Sequence, residues 1–133
     1  MSTNIRPEIS KKNKWWIPKH RYYELKHFCL QYPEWKELVR ESVWWNKTYL
    51  GGSVEYSDPV ARSADERERL LANIAMVEKA AKDASDELWR YILKAVTEGL
   101  SYVNLRMVYE MPCSKDMYYD RYRRFFWLLA RSR

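Results

Sequence analysis

Glycine occurs only three times in 133 residues and proline five times. So few chain-breakers, set against abundant Leu, Glu, Lys, Arg and Ala, argue against a turn-rich β architecture and for an all-α chain. Two cysteines, Cys29 and Cys113, are too few for a disulfide framework, and no Cys-x-x-Cys pair exists for zinc. Reduced, buried thiols are the expectation. His20 and His27 lie seven residues apart without a carboxylate or cysteine partner, so packing or surface roles are expected rather than a metal site. No apolar run approaches the length of a membrane span, and the start lacks the apolar segment of a signal peptide. A soluble, cytoplasmic protein with no membrane partner is expected. Also missing are a glycine-rich phosphate loop, a metal-ligand cluster and any Ser/His/Asp or Cys/His set of recognisable spacing. Neither enzymatic activity nor a cofactor is expected.

What the chain has in quantity is positive charge and aromatic surface. The formal charge is +6, the pI is near 9.3, and 16% of residues are Phe, Trp or Tyr. A basic balance suits a polyanionic partner, although it speaks to association and not to fold. The charge is also segregated. Between Ala64 and Glu98 eight acids face six bases, a net of −2, whereas from Lys115 to Arg133 six bases face two acids, a net of +4. In the first 19 residues Arg6, Lys11, Lys12, Lys14 and Lys19 oppose Glu8 alone. The two ends are the basic parts.

Residues 1–19 read as a polar, basic N-terminal arm whose Lys11, Lys12 and Lys14 can lie along phosphates. Trp15 and Trp16 are expected to fold back, because adjacent exposed tryptophans would be adhesive. Residues 20–46 read as an N-terminal helical pair. The first helix, from Pro18 to Tyr32, repeats Tyr22, Leu25, Phe28 and Cys29 at helical spacing; the second starts at Pro33 and carries Trp35, Leu38, Val39 and Ser42. Its charges balance, Arg21, Lys26, Lys36 and Arg40 against Glu24, Glu34, Glu37 and Glu41, which suits packing or protein binding better than gripping DNA. Residues 47–62 read as a linker. Gly51-Gly52 fits a mobile loop in preference to a hairpin, and Asp58-Pro59 starts a turn.

Residues 63–133 read as a helical domain. Ser63-Ala-Asp-Glu66 has the pattern of a capping box. In the helix it opens, to about Ala84, Leu70, Ile74, Val77, Ala81 and Ala84 form a seam with coiled-coil spacing. Core packing is the plain use of that seam, and a homodimer is the alternative. Ser85-Asp86-Glu87 starts a further helix with Leu88, Trp89, Ile92, Leu93 and Val96 inward, ending at Gly99.

The last stretch carries the functional pattern. Ser101 can cap a short helix through Tyr102, Leu105 and Val108, and Ser114 can cap a longer one to about Arg131. Pro112 forces a bend between them. A short helix, a turn and a longer basic helix outline a helix-turn-helix. On the second helix Tyr118, Tyr122, Phe125 and Leu129 share a stripe, read as core against Leu93, Val96, Leu105 and Val108, with Phe126 at its edge. The opposite face carries Lys115, Asp116, Tyr119, Asp120, Arg123, Arg124 and Trp127, with Arg131 near the end. An arginine fork matches the guanine edge and a carboxylate can accept from cytosine. Arg123 is the expected base reader, Arg124 and Arg131 the expected phosphate contacts. Asp116 and Asp120, one turn apart, fit salt bridges or base contacts better than an acid/base pair.

From Gly99-Leu-Ser-Tyr through Pro112-Cys-Ser-Lys-Asp-Met-Tyr-Tyr-Asp-Arg-Tyr-Arg-Arg-Phe-Phe, the chain resembles the C-terminal module of phage late-gene transcription regulators of the RinA/ArpU type, a module similar to the promoter-reading fourth region of sigma factors. The resemblance covers about the last 45 residues and departs from a uniformly basic helix at Asp116 and Asp120. It implies a small helical bundle with a C-terminal helix-turn-helix, a sequence-specific regulator acting on double-stranded DNA, and host RNA polymerase as a candidate partner. Two alternatives stand beside it: a DNA-packaging terminase small subunit, and a protein-binding inhibitor of a host or defence complex.

Overall fold

The computed structural model describes residues 11–49 and 57–133, with side chains over 11–41 and 64–133. Six helices and no strand occur among the described residues: α1 (Lys19–Leu30), α2 (Tyr32–Tyr49), α3 (Ser57–Ala84), α4 (Trp89–Glu98), α5 (Tyr102–Tyr109) and α6 (Lys115–Ser132). The all-α expectation holds. Helix α3 is the shared platform: α2, α4 and α6 all pack on it, and α1 closes the other side against α4 and α6.

Local chemistry explains the breaks. Pro33 has no amide hydrogen to donate to the Cys29 carbonyl, so the α1 ladder stops at Leu30 and Gln31 turns back onto Phe28. A new ladder starts where the Trp35 amide donates to Gln31. Tyr32 therefore belongs to α2 and not to the first helix. Gly99 ends α4 in the left-handed conformation (φ 70°) with its amide donating to Ala95, as its position suggested. Helix α4 itself begins at Trp89, later than Ser85: the Ser85 hydroxyl accepts from the Leu88 amide and closes a preceding turn.

Two helix boundaries need correcting in the middle of the chain. Helix α2 runs to Tyr49 and α3 begins at Ser57, so only 50–56 separate them, in place of a linker over 47–62. Ser63 lies inside α3, and the Ser63–Glu66 pattern opens no helix. Asp58 and Pro59 fall in the first turn of α3, where proline loses no helical hydrogen bond. Gly51-Gly52, with its loop or hairpin reading, falls outside the described residues.

One hydrophobic core runs from Ile17 to Leu129. Tyr22, Leu25, Phe28 and Cys29 of α1 are buried, as the helical spacing indicated, and so are Leu88, Ile92 and Val96. The α3 seam is used inside the chain: Val77, Ala81 and Ala84 are buried and Leu70 and Ile74 pack against the core. On α2 Trp35 is buried, whereas Leu38 is 47% exposed. Polar ties join α1 to α6 and α2 to α3. Arg21 donates to the Ala130 carbonyl (3.2 Å), the Tyr22 and Tyr122 hydroxyls bond to each other (2.9 Å), and the Tyr32 hydroxyl donates to Glu78.

Helix α6 supplies the largest share of aromatic core. Tyr118, Phe125 and Leu129 are buried as the stripe required, but Phe126 is fully buried too, and Tyr22 and Tyr122 both meet its ring edge-on at about 5 Å. Val108, expected opposite this stripe, is instead 62% exposed, because α5 is short and turns only Leu105 into the core. Phe125→Ala is expected to lower stability by about 3–5 kcal/mol in chemical denaturation, as for other buried rings removed without replacement. A loss under about 1 kcal/mol would mean that the ring does not hold the core.

Candidate nucleic-acid interface

Helices α5 and α6 are each capped by serine: the Ser101 hydroxyl accepts from the Asn104 amide (3.1 Å) and the Ser114 hydroxyl from the Met117 amide (3.2 Å). Between them the backbone passes through Glu110 in the left-handed conformation (φ 53°). The amides of Glu110 and Met111 both donate to the Leu105 carbonyl, and the Met111 side chain is buried. The rest of the turn is tied down from α5. The Tyr102 hydroxyl donates to the Cys113 carbonyl (3.0 Å) and the Arg106 guanidinium to the Met111 carbonyl (3.0 Å). The angle between the two helices is thus set by buried and hydrogen-bonded groups, not by Pro112 alone.

The proposed contact residues divide by position along α6. Lys115 and Asp116, in the first turn, are exposed, as is Arg131 at the far end. Tyr119, Asp120, Arg123 and Arg124 are half-buried. Tyr119 stacks among Tyr102, Tyr118 and Tyr122, and burial pushes its hydroxyl pKa up, with the nearby Arg123 charge opposing this. Asp120 is engaged on both oxygens, accepting from the Trp15 indole (3.1 Å) and from Arg121. Arg124 lies over the Trp15 ring, 5.5 Å from its centre.

That Trp15 contact was the unexpected one. The N-terminal segment does fold back, and it does so onto the outer face of α6. The Asn13 side chain accepts from the Trp15 amide (2.8 Å) and its carbonyl accepts from the Trp16 amide (3.0 Å), forming a tight turn that delivers Trp15 to Asp120, Arg124 and Trp127. Lys11, Lys12 and Lys14 stay exposed beside it. Residues 1–10 lie outside the described residues. The tendency of tryptophan to bury was legible in sequence, but its partner, 105 residues away, was not.

Burial pushes the Cys29 and Cys113 thiols up, the opposite of an activated nucleophile. His20 and His27 are exposed, and no cluster of three potential metal-ligating side chains occurs among the described residues. No described helix is long and apolar enough to cross a membrane. A cleft of about 160 Å³ opens between α1, the α4–α5 corner and α6, walled by Tyr22, Tyr102, Tyr118, Tyr119 and Tyr122. No family model matches the chain, and neither curated proteins nor solved structures give a match.

Glu110 offers a test of the turn. A non-glycine residue in the left-handed region carries about 1–2 kcal/mol of strain, of which glycine's extra chain entropy would return about 0.5–1. Glu110→Gly is therefore expected to raise the melting temperature slightly. A fall in melting temperature would show that the Glu110 side chain holds the turn.

Proposed function

We propose that the chain is a sequence-specific, double-stranded-DNA-binding regulator that presents the first turn of α6 to the major groove. One observation carries the reading: α6 is packed along its middle, while Ser114, Lys115 and Asp116 project from the core beside the exposed helix α5, across a turn fixed by Arg106 and Tyr102. In helix-turn-helix proteins it is the N-terminal part of the second helix that meets base edges. The likeness to phage late-gene regulators of the RinA/ArpU type agrees with this arrangement and supplies the proposed setting, a phage-encoded protein acting in a bacterial host. Tyr119 and Arg123, the next residues along the accessible side, extend the reading set, with Arg123 as the guanine-reading fork.

A second reading has its own observation. Val103, Met107 and Val108 of α5 are 64%, 78% and 62% exposed, a concentration of apolar surface that suits a protein partner. In a regulator that partner would be host RNA polymerase; in the protein-binding inhibitor it would be the target itself. DNA binding separates the two.

The test is a pair of titrations, on a site selected from genomic fragments and on scrambled duplex. Arg123→Ala is expected to lose about 1–3 kcal/mol on the selected site and far less on scrambled DNA. Equal losses on both would remove Arg123 from the reading set. Absence of salt-sensitive binding by the unaltered protein would reject the DNA-binding function and leave the protein-binding reading.

A further inference from the structure

Cations are gathered on the outer face of α6; Asp83, Asp86 and Glu87 line a cleft with Arg124, while Lys14 and Arg131 stand apart from them. Lys14 lies over the Trp15 ring at 5.0 Å and Arg124 over the same ring at 5.5 Å. Trp15 meets Trp127 edge-on at 5.1 Å, and Arg131 lies over Trp127 at 4.6 Å. Two tryptophans from opposite ends of the sequence thus hold three cations in one continuous belt. None of the three forms a salt bridge among the described residues. The one carboxylate that touches the belt, Asp120, is already taken by the Trp15 indole and by Arg121. Like charges held together in this way repel, and an anion laid across them relieves that repulsion.

From this geometry we propose that the Trp15–Trp127 belt is a phosphate clamp, a second DNA-contacting surface that grips the duplex backbone and orients α6 for reading. The proposal rests on the DNA-binding reading and adds two positioning residues, Trp15 and Trp127, that hold the cations without touching DNA themselves. Stacking on a ring fixes a long cationic side chain while leaving its N–H groups able to donate, so less freedom is lost when a phosphate arrives. The same stacking argues against single-stranded nucleic acid. Bases would need open aromatic faces, and here cations already lie over both rings. The clamp also gives the N-terminal segment a fixed place: its lysines share a surface with α6 because Trp15 is bonded there.

The experiment measures affinity for random-sequence duplex DNA against salt concentration, using the full chain. Removing one cation that meets a phosphate should reduce the log–log slope by about one. Lys14→Ala with Arg131→Ala changes two exposed side chains and leaves the core intact, and the slope is expected to fall by about two. Trp15→Ala is expected to lower it by between one and two, and Trp15→Phe, which keeps a ring beneath Lys14 and Arg124, to restore most of it. Unchanged slopes in both Trp15→Ala and the double variant, with the unaltered protein binding normally, would overturn the clamp and leave the reading by α6 standing. Tighter binding by Trp15→Ala would also overturn it, by making the segment a cover over the face. A preference for single-stranded DNA, or equal competition by polyglutamate at matched charge, would overturn the choice of duplex phosphate. No salt-sensitive binding by the unaltered protein would sink both proposals together.

Discussion

Helix α6 is packed on three sides at once, against α3, α1 and α4. Tyr118, Phe125, Phe126 and Leu129 fill the interior, and the N-terminal segment leans on the remaining side through Trp15. No residue from Met117 to Ala130 is fully exposed. Burial of that much aromatic surface is the largest favourable contribution a single element here can make, since each fully buried large apolar side chain contributes about 1.5–3 kcal/mol. It also limits what the helix can do. A helix embedded along its length can offer a partner its two ends and the half-buried outer side at Tyr119 and Arg123, together with whatever its covering segment carries. The exposed groups are found there: Ser114 to Asp116 at one end, Arg131 to Arg133 at the other, and Lys11, Lys12 and Lys14 on the segment.

Charge follows the same division. The acidic stretch from Ala64 to Glu98 lies in α3 and α4, which support α6, while the basic ends of the chain meet on its outer face. Folding brings together two cationic segments that repel each other. What holds them is short-range: an indole hydrogen bond to Asp120, an edge-on tryptophan pair, and cations resting on rings. These contacts tolerate the repulsion in the free protein. They leave Lys14, Arg124 and Arg131 without a salt bridge among the described residues, the feature on which the proposed phosphate contact rests.

Features that depend on near neighbours were legible in the sequence. The serine caps at 101 and 114, the stop at Gly99, the break at Pro33 and the aromatic stripe of α6 each follow from groups within a turn or two. Where local chemistry allowed two readings, the sequence misled. Asp58-Pro59 suits a turn, yet it equally suits the first turn of a helix, so the pattern at Ser63 lies inside α3. Val108 repeats Leu105 at helical spacing, but the eight-residue α5 buries only one of them. The contact set around Trp15 was invisible for a different reason. Its members lie about a hundred residues apart and meet directly only in the folded chain, and no spacing rule records that.

The central claim is that α6 is a core element on its inner side and an interaction element at its ends and along its outer side. Amide chemical shifts of isotope-labelled protein, followed as duplex DNA is added, test it directly. The largest changes are expected at residues 114–119, 123, 13–16 and 131–133, with little change over 64–79 of α3. Changes centred on α3, or confined to the exposed apolar residues of α5 while both ends of α6 stay still, would contradict it.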